Sequence, residues 1–188
     1  DRIVQRASSL KLGTEFGAII TSDQVEFLKS AITRAEKAGA RVLLDGRKAT
    51  APAGMEGGNW IGPTILDQVQ PGSEAATVEL FGPILSIVRC KDLSEALAIE
   101  RSNEYGNACS VFTSSGPLAD RVAREATAGM VGVNVGVPVP REPFSFGGMN
   151  ASKFGHGDIT GQHSLDFWSN MKKVTVKWEK QSESNWMS

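Results

Sequence analysis

Little in this sequence is suited to nucleic acid or to a lipid surface. Twenty basic residues stand against 21 acidic ones, for a net charge of −1, and binding a phosphate backbone or an anionic bilayer needs a clear basic excess. No apolar run approaches the roughly 20 residues that span a bilayer. No charged start, apolar stretch and small-residue cleavage site open the chain, so no secretory leader is expected. Cysteine is scarce: there are two, Cys90 and Cys109, in a composition typical of compartments where thiols stay reduced. Cys90 closes one apolar strand pattern and Cys109 sits in another, "NACSVF". Each reads either as a small apolar core residue or as a nucleophile, and only Lys91, beside Cys90, is placed to activate a thiolate.

Phosphate cradles are missing as well. In "GGMNASKFG" Ser152 and Phe154 flank Lys153, so the G-x-x-x-x-G-K-[ST] spacing fails, and no G-x-G-x-x-G follows a strand pattern. His156 and His163 have no cysteine or carboxylate at ligand spacing, so no metal site is expected.

What is present is the alternation of an α/β protein. A chain of 188 residues, 40% of them hydrophobic, is long enough for a domain with its own core. The chain begins at Asp1, without Met, inside a helical pattern, which suggests a piece of something longer. "TSDQVEFLKSAITRAEKAGA" predicts a helix: Thr21 and Gln24 can form a capping box, Val25, Leu28, Ile32 and Ala35 share a face, and Gly39 stops it. "ARVLLDG", "NWIGPTIL" and "PILSIVRC" read as strands. "DLSEALAIERSNEYG" predicts a helix capped by Asp92, and "GPLADRVAREATAG" another, with Pro117 in its first turn. "NACSVFTS" and "MVGVNVGV" supply further strands. Strands alternating with helices predict an open, mostly parallel sheet flanked by helices.

Two stretches stand out from this texture. "VPVPREPFSFGGMNASKFGHGDITGQ" is rich in proline and glycine without periodicity, and so long a loop is uncommon unless it is functional. A short helix around Ser164 to Asn170 then leads into "KKVTVKW", where Val174, Val176 and Trp178 alternate with Lys173, Thr175 and Lys177 as in a half-buried strand. Such a strand is either an edge guarded by lysines or one that pairs with another subunit. The polar tail 181–188 follows. The second stretch, "VELFGPIL", sets Glu79 in an apolar run. A carboxylate there lies at a solvated strand edge, joins an ion pair, or meets a ligand's hydroxyl groups.

The order "E-x-F-G-P", strand, helix, "N-x-x-G", "S-V-F-T" and "G-M-V-x-V-N", with "FSFGG" after it, resembles the C-terminal half of the aldehyde dehydrogenase superfamily from about Leu10 through Trp178. "MVGVNVGVPVP" with "FSFGG" is most similar to the methylmalonate-semialdehyde dehydrogenase branch, which acylates CoA, although "MNASKFGHGDITGQ" departs from that branch after Gly148. The resemblance implies that residues 1–170 are the C-terminal part of the catalytic domain and 171–180 an oligomerisation strand of a dimer or tetramer. It implies that the nucleophilic cysteine lies upstream of this chain, which contains no catalytic residue and is inactive alone. It further implies that Glu79 accepts from the nicotinamide ribose hydroxyls of NAD and that Phe81 lies against that cofactor. Phe146 becomes a wall of the aldehyde pocket, the alternative being a core aromatic, with Gly147 and Gly148 letting the backbone pass close to neighbouring chain. Semialdehyde and NAD are the implied small-molecule partners, CoA the co-substrate, and the cytoplasm, or the mitochondrial matrix in a eukaryote, the location. A water-releasing semialdehyde dehydrogenase and a non-catalytic α/β assembly module remain alternatives.

Overall fold

A computed structural model describes residues 2–141, 143–155, 157–158 and 160–178. The chain divides into two units, one ending at Asn103 and the other starting at Glu104.

In the first unit, α1 (Arg2–Ser8) is followed by α2 (Ser22–Lys37). The Thr21 hydroxyl accepts from the Gln24 N–H at 3.2 Å, as an N-cap should. Val25, Leu28, Ala31, Ile32 and Ala35 form its buried face, the i, i+3, i+4 stripe of an amphipathic helix. That face packs on a sheet of β1 (Arg41–Leu44), β2 (Thr64–Asp67) and β3 (Ile84–Ser86), in the order β1-β2-β3. Central β2 is buried throughout, and its Thr64 hydroxyl is satisfied by the Gly46 N–H at 3.0 Å. Between β2 and β3 lies α3 (Glu74–Thr77), tied to α2 by a two-pronged Arg34–Glu74 pair with both bonds at 2.7 Å. α4 (Leu93–Arg101) closes the unit, with Asp92 accepting from the Glu95 N–H at 2.9 Å.

The second unit holds β4 (Tyr105–Gly106), β5 (Ala108–Val111), α5 (Gly116–Glu125), β6 (Met130–Val133), β7 (Met149–Asn150) and α6 (Gly161–Trp168). Strands β5 and β6 pair in parallel, Ala108 opposite Met130 and Val111 opposite Val133. Strands β4 and β7 form a separate antiparallel pair.

Helices α2, α4 and α5 fall where their sequence signals put them, whereas α6 lies ahead of the expected Ser164 to Asn170, α3 was not expected, and the sheet differs from the expected open, mostly parallel one. Each described sheet has at most three strands, and β1 and β2 run antiparallel. Helices in the connections account for this. The parallel pairs β2–β3 and β5–β6 are each joined through a helix, which such crossovers require, whereas no helix separates β1 from β2. "NWIGPTIL" also contributes less strand than expected: Asn59 makes only an isolated bridge with Ile19, and the ladder begins at Thr64. Residues 171–178 carry no ladder within the described residues, and Val174, Val176 and Trp178 are all exposed. The polar tail 181–188 lies outside the described residues.

Candidate functional site

Residues 78–83 connect α3 to β3 and carry two of the expected cofactor residues. This turn is anchored along its length. The Val78 N–H donates to Glu74 O at 2.9 Å, the Gln24 side-chain amide donates to Leu80 O at 2.7 Å, and Pro83 O accepts from the Thr64 N–H at 2.8 Å. Gly82 lies directly on Leu28 of α2, where a side chain would collide with it. Between these anchors Phe81 takes φ +51°, a left-handed conformation that is an outlier for a bulky residue and costs about 1–3 kcal/mol. Phe81 is 74% exposed. The surroundings therefore hold a strained residue with its ring presented to solvent, rather than packing the ring away.

Glu79 sits on the same turn. It is exposed, lies before β3 rather than in the ladder, and has no hydrogen bond or ion pair among the described residues. The carboxylate can only accept, and all of its acceptor capacity is available, which suits a vicinal diol offering two O–H donors.

Gln24 was not legible as part of this turn. In the sequence it completes a capping box with Thr21, and half of that box forms. The other half does not: the Gln24 amide reaches Leu80, 56 positions along the chain, instead of returning to the start of its own helix. No local signal marks this, because the competing acceptor is remote in sequence.

In the second unit, the chain leaves β6 at Asn134, again left-handed at φ +56°. Its side chain accepts from the Thr113 N–H at 2.9 Å and donates to Thr113 O at 3.0 Å, tying the ends of the parallel strands β5 and β6 together. The glycine-rich loop starts there. At its far end Gly147 and Gly148 lie against the backbone of Gly129 so closely that a Cβ on Gly129 or Gly147 would overlap main-chain atoms, which is the close passage expected of these glycines. Phe146 is 43% exposed; its N–H donates to the Thr160 hydroxyl at 3.0 Å, and the Ser145 hydroxyl donates to Thr160 O at 2.7 Å.

Comparison with known proteins settles the lineage of these two loops. The aldehyde dehydrogenase family pattern matches residues 1–174. The chain belongs to the aldehyde dehydrogenase family. It is 40% identical over 185 residues to an acylating, mitochondrial methylmalonate-semialdehyde dehydrogenase of Arabidopsis thaliana, covering 95% of this chain and 30% of that protein. A methylmalonate-semialdehyde dehydrogenase structure from Oceanimonas doudoroffii superposes with a TM-score of 0.90 at 33% identity, over 96% of this chain and 38% of that one. Another, from Sinorhizobium meliloti 1021, described as a methylmalonate-semialdehyde dehydrogenase complexed with NAD, gives 0.89 at 35% identity, over 96% and 38%. The chain thus spans about a third of the length of the curated relatives it matches.

For this aldehyde dehydrogenase family member the placement of the cysteines is informative. Cys90 is exposed rather than a core residue, because the β3 ladder ends at Ser86, well before it. Cys109 is half-buried in β5. Among the described residues no cluster of His, Cys, Asp or Glu could hold a metal ion. His163 is exposed on α6, and His156 lies outside the described residues. No helix among the described residues is long and apolar enough to cross a membrane.

Proposed function

We propose that this chain is the C-terminal part of the catalytic domain of an NAD-dependent methylmalonate- or malonate-semialdehyde dehydrogenase that acylates CoA. The observation carrying this reading is the Glu79–Phe81 turn: an unpartnered carboxylate and a solvent-facing, strained phenylalanine on a segment anchored to α2 and β2. The residues present fit a nicotinamide dinucleotide. Glu79 would accept from the two ribose hydroxyls, and Phe81 would lie against the cofactor. When bound, NAD takes up the hydride that leaves the aldehyde carbon. The anchors on Leu80 and Pro83 matter because a clamp that is already rigid loses little entropy when it engages. Phe146 forms one wall of the aldehyde pocket and helps exclude water from the reacting carbon. The nucleophilic thiol is supplied from upstream of this chain, and the acyl group of its thioester passes to the CoA thiol, which takes the place of the enzyme sulfur and leaves the enzyme thiol free again.

Two comparisons and one structural observation support the finer points. The Arabidopsis relative is named as acylating and mitochondrial, in line with CoA as acceptor and a matrix location in a eukaryote. The Sinorhizobium structure is described as an NAD complex. The exposure of Val174, Val176 and Trp178, which alternate in sequence with Lys173, Thr175 and Lys177, supports pairing of this strand pattern with a second subunit of a homo-oligomer.

The test is a steady-state assay of the full-length protein carrying this chain, with malonate and methylmalonate semialdehydes. NADH formation that requires CoA is expected. Release of free acid without CoA would refute the acylating assignment, and no oxidation of either semialdehyde would refute the substrate class.

A further inference from the structure

We infer that Thr160 is the positioning residue for the aldehyde-pocket wall, setting the orientation of Phe146 through its backbone. The inference rests on the reading of Phe146 as that wall.

Thr160 occupies the N-cap of α6 with extended backbone, φ −120° and ψ 164°. At such a position the hydroxyl normally accepts from an N–H of the first turn, as the N-cap side chains of α2, α4 and α5 do, from Gln24, Glu95 and Leu118. Thr160 makes no such bond. Its hydroxyl instead accepts from the Phe146 N–H at 3.0 Å, and its carbonyl accepts from the Ser145 hydroxyl at 2.7 Å. The next residue, Gly161, sits at φ +58° where a Cβ would crowd Pro143 O, Ser145 N and Ser145 Oγ. The start of α6 is therefore laid onto the 143–146 segment by a pair of hydrogen bonds and a glycine contact.

On the other side, Gly147 is pressed against Gly129. Phe146 is thus held at both flanks of its backbone, while the residue, 43% exposed, is not fixed by burial in a core. For such a residue the direction of the side chain follows from where the backbone is held. The diverted cap is what holds the N-terminal flank.

The experiment compares Thr160→Ala, Thr160→Ser, Phe146→Ala and the double variant Thr160→Ala/Phe146→Ala in the full-length enzyme, with the unmodified enzyme as reference. The readouts are kcat/KM for malonate and methylmalonate semialdehyde, KM for NAD, and the melting temperature. Losing one such hydrogen bond should change the ratio of the two kcat/KM values by about two- to tenfold. The NAD KM should stay the same, Thr160→Ser should restore the ratio, and the double variant should match Phe146→Ala alone. If Phe146→Ala shifts the ratio and Thr160→Ala does not, the positioning role is overturned while the pocket wall stands. A fall in melting temperature with an unchanged ratio has the same consequence, since Thr160 would then be only structural. If Phe146→Ala itself leaves the ratio unchanged, the pocket-wall reading fails and the inference falls with it.

Discussion

Replacing Gly82 by alanine would place a methyl carbon 2.5 Å from Leu28 Cδ1 and 2.6 Å from Cδ2, well inside van der Waals contact. Leu28 cannot move aside cheaply, because it is 0% exposed and enclosed by Ile32, Leu66 and the rest of the α2–sheet core. Overpacking of this kind costs about 1–3 kcal/mol. Leu28→Ala, which empties the same space, costs about 2–5 kcal/mol. In the double variant the new methyl at position 82 occupies part of the volume that Leu28 vacates. The combined loss should therefore fall below the sum of the single losses by about 1–3 kcal/mol, a coupling expected only of residues in direct contact. The assay is denaturant unfolding of the four proteins under identical conditions, read as shifts in midpoint at constant slope. Because Gly82 belongs to the same turn as Glu79, Gly82→Ala should also raise the NAD KM of the full-length enzyme, and adding Leu28→Ala should lower it again. Strictly additive losses would show that the turn is not seated on α2 and would refute the reasoning.

Acid should weaken the first unit. The hydrogen bond from Arg89 holds the Asp67 carboxyl below its usual range, as Arg47 does for Asp45 and Arg34 for Glu74; depressed carboxyls stabilise above their unfolded pKa and lose that contribution as pH falls below about 4. Asp67 is 7% exposed, so Asp67→Asn should lower the melting temperature at pH 7 and flatten its fall between pH 5 and 3; an unchanged slope would discount this pair. The purified 188-residue chain should show no NAD-dependent aldehyde oxidation, and activity abolished by Cys90→Ser or Cys109→Ser would overturn the placement of the nucleophile upstream. Deleting the chain from Val174 onward in the full-length protein should dissociate the oligomer, since each large side chain fully buried at such an interface contributes about 1.5–3 kcal/mol; light scattering that reports an unchanged mass would contradict this.

Local signals in the sequence are legible where an element depends on residues close together in the chain. Thr21, Asp92 and Pro117 mark helix starts that form as expected, because a cap depends on residues only a few positions apart. Gly147 and Gly148 also announced a close approach, since glycine beside an aromatic in a long loop leaves few other uses. Direction and extent of strand pairing were less legible. "NWIGPTIL" is largely apolar, yet only Thr64, Ile65 and Leu66 join the ladder, because register depends on where β1 and β3 lie. The same holds for the site. Glu79 stands out as a carboxylate in an apolar run and Phe81 enters only through the family resemblance, but the positive φ at Phe81 has no local signal and the diversion of Gln24 and Thr160 depends on partners 56 and 14 positions away. The short C-terminal helix begins at Gly161, ahead of the expected Ser164, since nothing in "DITGQHS" distinguishes a capping threonine from one bonded elsewhere.

The measurement that bears most directly on the account is the NAD dependence of Glu79→Gln in the full-length enzyme. The substitution keeps the size of the side chain, replaces one acceptor oxygen by a donor, and removes the charge that strengthens hydrogen bonds from a diol. Because Glu79 is exposed and has no partner among the described residues, the fold should be untouched and the melting temperature unchanged. The account predicts a fall in kcat/KM for NAD equivalent to about 1–3 kcal/mol, roughly five- to 150-fold. Unchanged kinetics at limiting NAD, with the semialdehyde saturating, would contradict the assignment of this turn as the ribose clamp.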